Sequence, residues 1–308
     1  MVCRIRTISL ACLLLLALAG ALAQDRDRTQ RLPPGIVKHA DIVYASVGER
    51  DLVLDVYAPD QTPDGPLPAI LWVHGGGWRG GSKDGIRRPL PILQRGYGLA
   101  SVGYRLSGEA IFPAAIADVK AAMRWLRANA SRFGFDPNRL GAWGSSAGGH
   151  LVALLGTAHE VAEWDAMHEE NGGVSSRPDA VCNWFGPTDF LRMNDFPGRI
   201  DHDAPDSPES RFIGGPIQER KEEAQRANPI RYATADDPPI LHMHGEKDQA
   251  VPYNQSELLH AALREAGVDT TLYMVRSGDH GFRGMEGDTE ESLVDRVDAF
   301  FARTLGEH

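Results

Sequence analysis

One serine of this chain has neighbours that could make it a nucleophile. Residues 144–148 read Gly-Ser-Ser-Ala-Gly, and only Ser146 has glycines both two positions before and two positions after it. The apolar run Leu140–Trp143 precedes this segment, and a helical pattern over residues 149–158 follows it. A sharp strand-to-helix turn strains the serine backbone and exposes the hydroxyl, and small neighbours let the turn close. The pattern therefore predicts Ser146 as a catalytic nucleophile.

A serine hydroxyl needs a general base at neutral pH, and the base needs a carboxylate to orient it. With this kind of turn, the acid and then the histidine follow the serine along the chain. Asp248 lies in the loop after the apolar run Ile240–His244, and His280 lies in the loop after Thr270–Val275. Both loops leave the carboxyl ends of predicted strands, where such sites assemble. We predict His280 as the base and Asp248 as the acid.

Three other carboxylates compete with Asp248. Glu246 lies in the same loop, but its position directly after the strand is better suited to a turn. Asp279 adjoins His280, and adjacent side chains usually point apart. Asp189 follows an earlier predicted strand and is the main rival.

Most of the other histidines are interpreted as having no catalytic role. His242 and His244 fall within a predicted strand and are interpreted as structural. Six more are interpreted as ordinary surface or helix residues: His39, His159, His168, His202, His260 and His308.

Acyl transfer also needs donors for a tetrahedral oxyanion. Residues 74–78, His-Gly-Gly-Gly-Trp, directly follow the apolar run Ala69–Val73, and glycines there let backbone N–H groups converge. Gly76, Gly77 and Ala147 are the predicted donors. The segment lacks the Gly-X4-Gly-Lys-Ser/Thr pattern of a phosphate loop. No His-Glu-X-X-His or paired-cysteine pattern occurs, so no metal site is expected.

The elements that position these residues follow an alternating pattern. Residues 42–47 and 52–57 predict an antiparallel hairpin. Six nearly continuous apolar runs then predict buried strands of a parallel sheet: Ala69–Val73, Leu99–Tyr104, Leu140–Trp143, Ala180–Phe185, Ile240–His244 and Thr270–Val275.

Helical patterns lie between these runs. From Pro113 to Ser131 apolar residues recur at spacings of three and four, and residues 254–265 and 290–305 are similar. Alternating strands and helices predict a wound α/β sheet. Residues 196–237, rich in Pro, Gly, Asp and Glu, are the exception, and we predict either a lid over the site or a surface decoration there.

The first 23 residues have the pattern of an export signal. Arg4 and Arg6 precede an apolar run over 8–22, and small residues at 21 and 23 predict cleavage before Gln24. An uncleaved membrane helix is the alternative, but the run is short for a bilayer span. We expect a periplasmic or secreted protein without a stable membrane anchor, with a flexible linker over 24–35 and one α/β domain over 36–308.

Composition limits the partners. Without residues 1–23, which hold two arginines and no acidic residue, 30 basic residues face 42 acidic ones, a net charge of −12. Such a charge disfavours nucleic acid and anionic membranes as partners. Only Cys182 would remain, so no intramolecular disulfide is possible, and its apolar surroundings predict a buried side chain.

Together these motifs resemble the α/β-hydrolase esterases, most closely the bacterial feruloyl-esterase-like branch called BD-FAE, near the hormone-sensitive-lipase group. The resemblance spans about residues 40–305. Besides the motifs above, it rests on Tyr104–Ser107, Phe112–Ala114, Ser207–Ser210, Gly214–Gly215, Val251–Pro252, Gln255–Ser256 and His280–Phe282.

The resemblance implies an eight-stranded, mostly parallel sheet flanked by helices, no cofactor, and ester hydrolysis through an acyl-enzyme. It implies short-chain or aromatic esters of the acetyl or feruloyl type, small or polymer-linked, and a monomer or homodimer is expected. Trp184 and Phe185 depart from the pattern, because a smaller residue is expected in at least one of these places. With Trp78, Trp184 is predicted to contact substrate and would favour a flat or apolar acyl group. The alternative is that both aromatics belong to the core.

Two other functions stay open from the sequence. A serine peptidase of the prolyl-oligopeptidase type shares the triad order, but it normally carries a large additional domain. A non-catalytic binding protein shares the fold, but such proteins usually lack a triad residue or an oxyanion glycine.

Overall fold

Eight strands form a single, mostly parallel sheet in the computed structural model, which describes residues 31–61 and 63–306. Their order across the sheet is β1-β2-β4-β3-β5-β6-β7-β8, and only the β1–β2 and β2–β4 pairs are antiparallel. The strands are Ile36–Val47, Arg50–Pro59, Leu67–Val73, Gly98–Val102, Phe135–Ser145, Ala180–Trp184, Ile240–Gly245 and Thr270–Val275. This arrangement confirms the predicted α/β-hydrolase fold. The predicted leader and residues 24–30 of the linker lie outside the described residues.

Most strand predictions differ from the structure only at their ends. β5 begins at Phe135, five residues before the predicted run, because Phe135 pairs across the sheet with Leu67. β4 ends at Val102 and β6 at Trp184, so Tyr104 and Phe185 belong to the loops that follow. Those loops leave the carboxyl edge of the sheet, where the site lies.

Seven α-helices accompany the sheet in the described part of the chain. They are α1 Ala114–Asn129, α2 Ala147–Thr157, α3 Ala162–Asp165, α4 Pro208–Ile213, α5 Lys221–Arg226, α6 Asn254–Ala266 and α7 Glu290–Leu305. Short 3-10 helices cover Leu90–Arg95, Ala130–Phe133, Phe190–Asp195, Pro229–Tyr232 and His280–Phe282. No helix among residues 31–61 and 63–306 has the length and apolarity needed to cross a membrane.

The helices cover both faces of the sheet. On one face, alternate residues of β3 such as Leu71 share a buried apolar cluster with Ile116 of α1 and Leu154 of α2. On the other face, Phe301 of α7 packs so closely over Gly141 of β5 that a Cβ there would lie 2.7 Å from its ring. Burial on both faces explains why the strands read as continuous apolar runs.

The segment 196–237, predicted to be irregular, contains α4, α5 and a 3-10 helix. Phe212 and Ile217 from this segment belong to the main apolar cluster. Its first part also reaches the cleft described below through Ile200 and Pro208. The segment thus belongs both to the core and to the wall of the cleft. Cys182 is buried in β6, as predicted.

Candidate active site

Ser146 occupies the turn between β5 and α2 with φ 55° and ψ −123°, a strained conformation for a residue with a side chain. The turn is tight because its two glycines approach other backbone atoms. A Cβ at Gly144 would lie 2.3 Å from the carbonyl oxygen of Gly148, and one at Gly148 would lie 2.0 Å from that of Val73. Only glycine fits at either position, which explains the motif.

The structure brings the three predicted triad side chains together. Oγ of Ser146 lies 3.0 Å from Nε2 of His280, and Nδ1 of His280 lies 2.7 Å from Oδ2 of Asp248. The N–H groups of Ala250 and Val251 donate to the other carboxylate oxygen at 2.8 and 2.9 Å. With its Nδ1–H donated to Asp248, His280 can accept the proton of Ser146 at Nε2.

Asp248 is almost completely buried. Burial alone would raise its pKa, but hydrogen bonds and charge from His244 and His280 outweigh this, so the pKa of Asp248 lies well below its usual range. Asp248 is therefore an anion at neutral pH, which suits it to orient His280 and to stabilise its protonated form.

The competing carboxylates have other partners. Asp189 accepts hydrogen bonds from the N–H of Leu191 and the amide of Asn228, and burial raises its pKa. Glu246 accepts from the N–H of Ser277. Asp279 accepts from the backbone N–H of His280 rather than from its ring. None of the three is a hydrogen-bond partner of the His280 ring in the described part of the chain.

Two histidines interpreted as surface or helix residues are buried instead, which corrects that interpretation. Nε2 of His168 lies 2.8 Å from Oδ1 of Asp118, and Nδ1 of His202 lies 3.0 Å from Oε2 of Glu209. Polar groups withdrawn from water need such partners. His202 and Glu209 also line the cleft next to Ser146. Glu209 belongs to the segment Ser207–Ser210 on which the family resemblance rests, whereas no motif indicated His202.

The predicted oxyanion donors have unengaged N–H groups. In a trans peptide, C=O and N–H point in opposite directions. The carbonyl oxygen of Gly75 lies 2.8 Å from Nδ1 of His74. The carbonyl oxygen of Gly76 accepts a hydrogen bond from the N–H of Gly80 at 3.1 Å. The carbonyl oxygen of Ser146 accepts one from the N–H of His150 in α2. Each of these carbonyls shares a peptide group with the N–H of the next residue. The N–H groups of Gly76, Gly77 and Ala147 therefore point away from the atoms that the three carbonyls contact. None of them donates to another described residue.

Buried aromatic side chains support the loop over residues 74–78, which carries the three glycines. His74 stacks on Tyr104 with centroids 4.4 Å apart, and the Tyr104 hydroxyl donates to the His74 carbonyl. Trp78 stacks on Phe212, and its Nε1–H donates to Nδ1 of His150 at 3.2 Å. Burial lowers the pKa of His150 to about 3, so it accepts as a neutral ring. Trp78, predicted to contact substrate, is only 1 % exposed but is among the residues that line the cleft described next.

A cleft of about 980 Å³ runs past Ser146 and His280. Trp184 and Phe185 both line it, and both are almost completely buried. The Phe185 ring lies 4.8 Å from the His280 ring, and Trp184 packs between Trp143 and Phe282 at 4.8 and 5.0 Å. These two aromatics are therefore core residues that also form part of the wall of the cleft, and contact with substrate stays a prediction.

Comparisons with known proteins agree with this geometry. The BD-FAE family model matches residues 54–263. The esterases LipC and LipQ of Mycobacterium tuberculosis are 30% and 31% identical over 86% and 87% of this chain. The chain covers 67% and 63% of the lengths of these two relatives, about two thirds.

Solved structures are also similar. A truncated carbohydrate esterase from gut microbiota superposes with a TM-score of 0.77 at 30% identity, over 87% of this chain and 96% of that one. Esterase 2 of Thermogutta terrifontis superposes with a TM-score of 0.69 at 27% identity, over 90% of this chain and 95% of that one. A further structure of that enzyme is described as phosphorylated by paraoxon.

Proposed function

Because this chain belongs to the BD-FAE family, we propose that it is a serine carboxylic ester hydrolase that acts on short-chain or aromatic esters through an acyl-enzyme. One observation carries the proposal. An unbroken hydrogen-bonded path leads from the buried Asp248 carboxylate through His280 to Ser146, at a strained turn that faces a cleft. This is the arrangement that activates a serine hydroxyl.

In the first half of the reaction, His280 accepts the Ser146 proton at Nε2 as Oγ attacks the ester carbonyl carbon. Asp248 holds the imidazole in the correct tautomer and stabilises its charged form. The N–H groups of Gly76, Gly77 and Ala147 receive the oxyanion. When the tetrahedral intermediate collapses, His280 returns the proton to the departing alcohol.

In the second half, water takes the place of the serine hydroxyl. His280 removes a proton from the water, the resulting hydroxide attacks the acyl carbonyl, and the intermediate releases the acid as Ser146 regains its proton.

The substrate class rests on the wall of the cleft and on the similar proteins. Trp184 provides apolar aromatic surface on the wall of the cleft, which suits an acetyl group or the flat ring of a feruloyl group. One similar structure is titled a carbohydrate esterase. We therefore include esters carried by plant polysaccharide among the candidate substrates.

Initial rates on a panel of esters test this function. The panel comprises p-nitrophenyl acetate, butyrate and octanoate, methyl ferulate and acetylated xylan, each with Ser146→Ala as the control. Faster turnover of ferulate or xylan acetate would assign the enzyme to breakdown of plant polymers, and faster turnover of short alkyl esters would make it a general carboxylesterase. No turnover of any ester by the folded protein would contradict the proposal and favour the binding-protein alternative.

The peptidase alternative is less favoured, because the similar proteins described above are named as esterases. We also propose that the protein is exported, on the support of the signal pattern over residues 1–23. N-terminal sequencing of the protein recovered from its native host tests this, since cleavage before Gln24 is expected and an intact Met1 would contradict it.

A further inference from the structure

Arg88 lies partly buried on the wall of the catalytic cleft. Its guanidinium carbon is 5.4 Å from the ring centroid of Phe185 and 5.7 Å from that of Trp184. Its Nη2–H donates to the carbonyl oxygen of Gly281 at 3.3 Å. No carboxylate of the described residues lies within ion-pair distance of it. A guanidinium carries five N–H groups, so most of its donors remain unused.

This lack of a carboxylate partner is unusual for the protein. Most basic side chains withdrawn from solvent in residues 31–61 and 63–306 have such a partner. These pairs are Lys83–Asp55, Arg95–Asp295, Arg105–Asp118, Lys120–Asp165, Arg124–Asp165, Arg127–Asp179, Arg139–Asp136 and Arg226–Glu163. Withdrawing a cation from water is costly unless an anion or hydrogen bonds compensate. The nearby Glu290 pairs with Arg87 instead.

The wall of the cleft carries more arginines than carboxylates. Arginines outnumber glutamates on its wall, by five to three, although the full chain has a net charge of −10. The arginines are Arg79, Arg87, Arg88, Arg95 and Arg283, and the glutamates are Glu209, Glu290 and Glu291. Three of these arginines, Arg87, Arg95 and Arg283, are paired with the carboxylates of Glu290, Asp295 and Asp279, so the positive charge open to an anionic substrate lies on Arg79 and Arg88.

The position of Arg88 assigns it to one part of the substrate. Gly281 is the residue after His280, and the Phe185 ring contacts both the Arg88 guanidinium and the His280 ring. Under the proposed mechanism His280 must protonate the departing alcohol, so the alcohol part of the ester lies on the His280 side of Ser146. Arg88 lies on that same side.

We propose that Arg88 recognises a carboxylate in the alcohol part of the ester, so that the preferred substrates are acylated hydroxy acids, of which the acidic sugar units of polysaccharides are one chemical class. The inference rests on the proposed function. The planar guanidinium matches a carboxylate with two parallel hydrogen bonds, and the rings of Phe185 and Trp184 hold it in place.

A matched pair of acetate esters tests the proposal. 4-Acetoxybenzoate carries a carboxylate in its alcohol part, and 4-acetoxybenzamide is its neutral counterpart. For each protein the ratio of kcat/KM for the anionic ester to kcat/KM for the neutral one is measured. Arg88→Gln is expected to lower this ratio by about 10- to 100-fold relative to the unmodified protein. Comparison of variant with parent removes the intrinsic difference in reactivity between the two esters.

Arg177→Gln is the matched control. Arg177 is also partly buried, donates to a backbone carbonyl, that of Asp236, and makes no ion pair with a described carboxylate, but it is not part of the cleft wall. Its ratio is expected to equal that of the parent. Arg88→Lys, which keeps the charge but loses the paired donors, should give an intermediate ratio.

A role for Arg88 in bracing Gly281 alone would reduce both rates equally and leave the ratio unchanged, and that result would overturn the proposal. Calorimetry with the product 4-hydroxybenzoate supplies a readout that does not need turnover. Its affinity should fall in Arg88→Gln by the same factor as the ratio, and equal affinity in both proteins would also overturn the proposal. Turnover of neither ester by the parent, with 4-hydroxybenzoate bound through Arg88, would contradict the proposed esterase function and leave the anion site standing.

Discussion

Nε2 of His244 lies 3.4 Å from Oδ2 of Asp248, the oxygen to which the His280 ring also donates. His244 is fully buried in β7, with Nδ1 2.8 Å from Oγ of Ser256 and Nε2 2.9 Å from the carbonyl oxygen of Val251. The Ser256 hydroxyl can donate to Nδ1, which leaves the proton on Nε2 facing the carbonyl and the Asp248 carboxylate. His244 is therefore a positioning residue for the triad acid.

We expect His244→Gln to lower kcat by about tenfold with little change in KM, because loss of one hydrogen bond to the carboxylate loosens the orientation of His280. His242→Gln is the matched control, since His242 is equally buried in the same strand but contacts Asn183 rather than Asp248. Steady-state kinetics of both variants make the comparison. An equal loss of kcat in the two variants would mean that His244 acts only through general stability.

Asp248→Asn should lower kcat by about three to four orders of magnitude, because an amide can present its N–H to His280 and favour the wrong tautomer. Asp189→Asn should change kcat by no more than a few fold, since Asp189 contacts Leu191 and Asn228. Kinetics with p-nitrophenyl acetate distinguish them. A larger loss in Asp189→Asn would transfer the acid role to Asp189.

Trp184→Phe should lower the turnover rate of methyl ferulate relative to that of p-nitrophenyl acetate. The phenyl ring is smaller than the indole ring, so the substitution removes aromatic surface from the cleft wall. Trp143→Phe is the control. Trp143 packs 4.8 Å from Trp184 and is equally buried, but it does not line the cleft. Both variants should lose stability in urea unfolding through cavity formation. An unchanged ratio in Trp184→Phe would assign this residue to the core alone.

Asp237 should make stability depend on pH. Burial raises its pKa from 3.8 to about 6, against hydrogen bonds from Thr234 that lower it. Between these values the folded state binds more protons than the unfolded state, so the contribution of Asp237 to stability falls as pH rises through this window. Asp237→Asn removes this titration.

The urea midpoint of Asp237→Asn minus that of the parent should therefore be larger at pH 7 than at pH 4. The constant effect of replacing the carboxylate cancels when the two pH values are compared. A difference that does not change with pH, or that shifts in favour of the parent, would show that the Asp237 carboxylate is not destabilised by burial.

The grouping of Ser146, His280 and Asp248 could be predicted because these residues follow the expected chain order and lie in turns or loops after apolar strands, both visible along the sequence. The buried His202–Glu209 and His168–Asp118 pairs could not, because a loop histidine looks exposed until its partner is placed in space. His244 shows the same limit. Its place in a strand indicated a structural role, but its contact with Asp248 depends on how the following loop folds back.

Arg88 carried no sequence signal at all. It lies in a loop between β3 and β4, and its significance depends on packing against Gly281, which is 193 positions away in the chain. Cleft walls built from several loops are therefore the part of this site that motifs describe least.

The identity of the nucleophile is the central claim, and covalent labelling tests it most directly. The protein is treated with paraoxon or a fluorophosphonate probe, and the modified peptide is located by mass spectrometry. Ser145 is the internal control, since it adjoins Ser146 and also lines the cleft. We expect one adduct per chain on Ser146, retained in Ser145→Ala and lost in Ser146→Ala, with both variants folded. An adduct on Ser145, or one that persists in Ser146→Ala, would contradict the assignment of the active site.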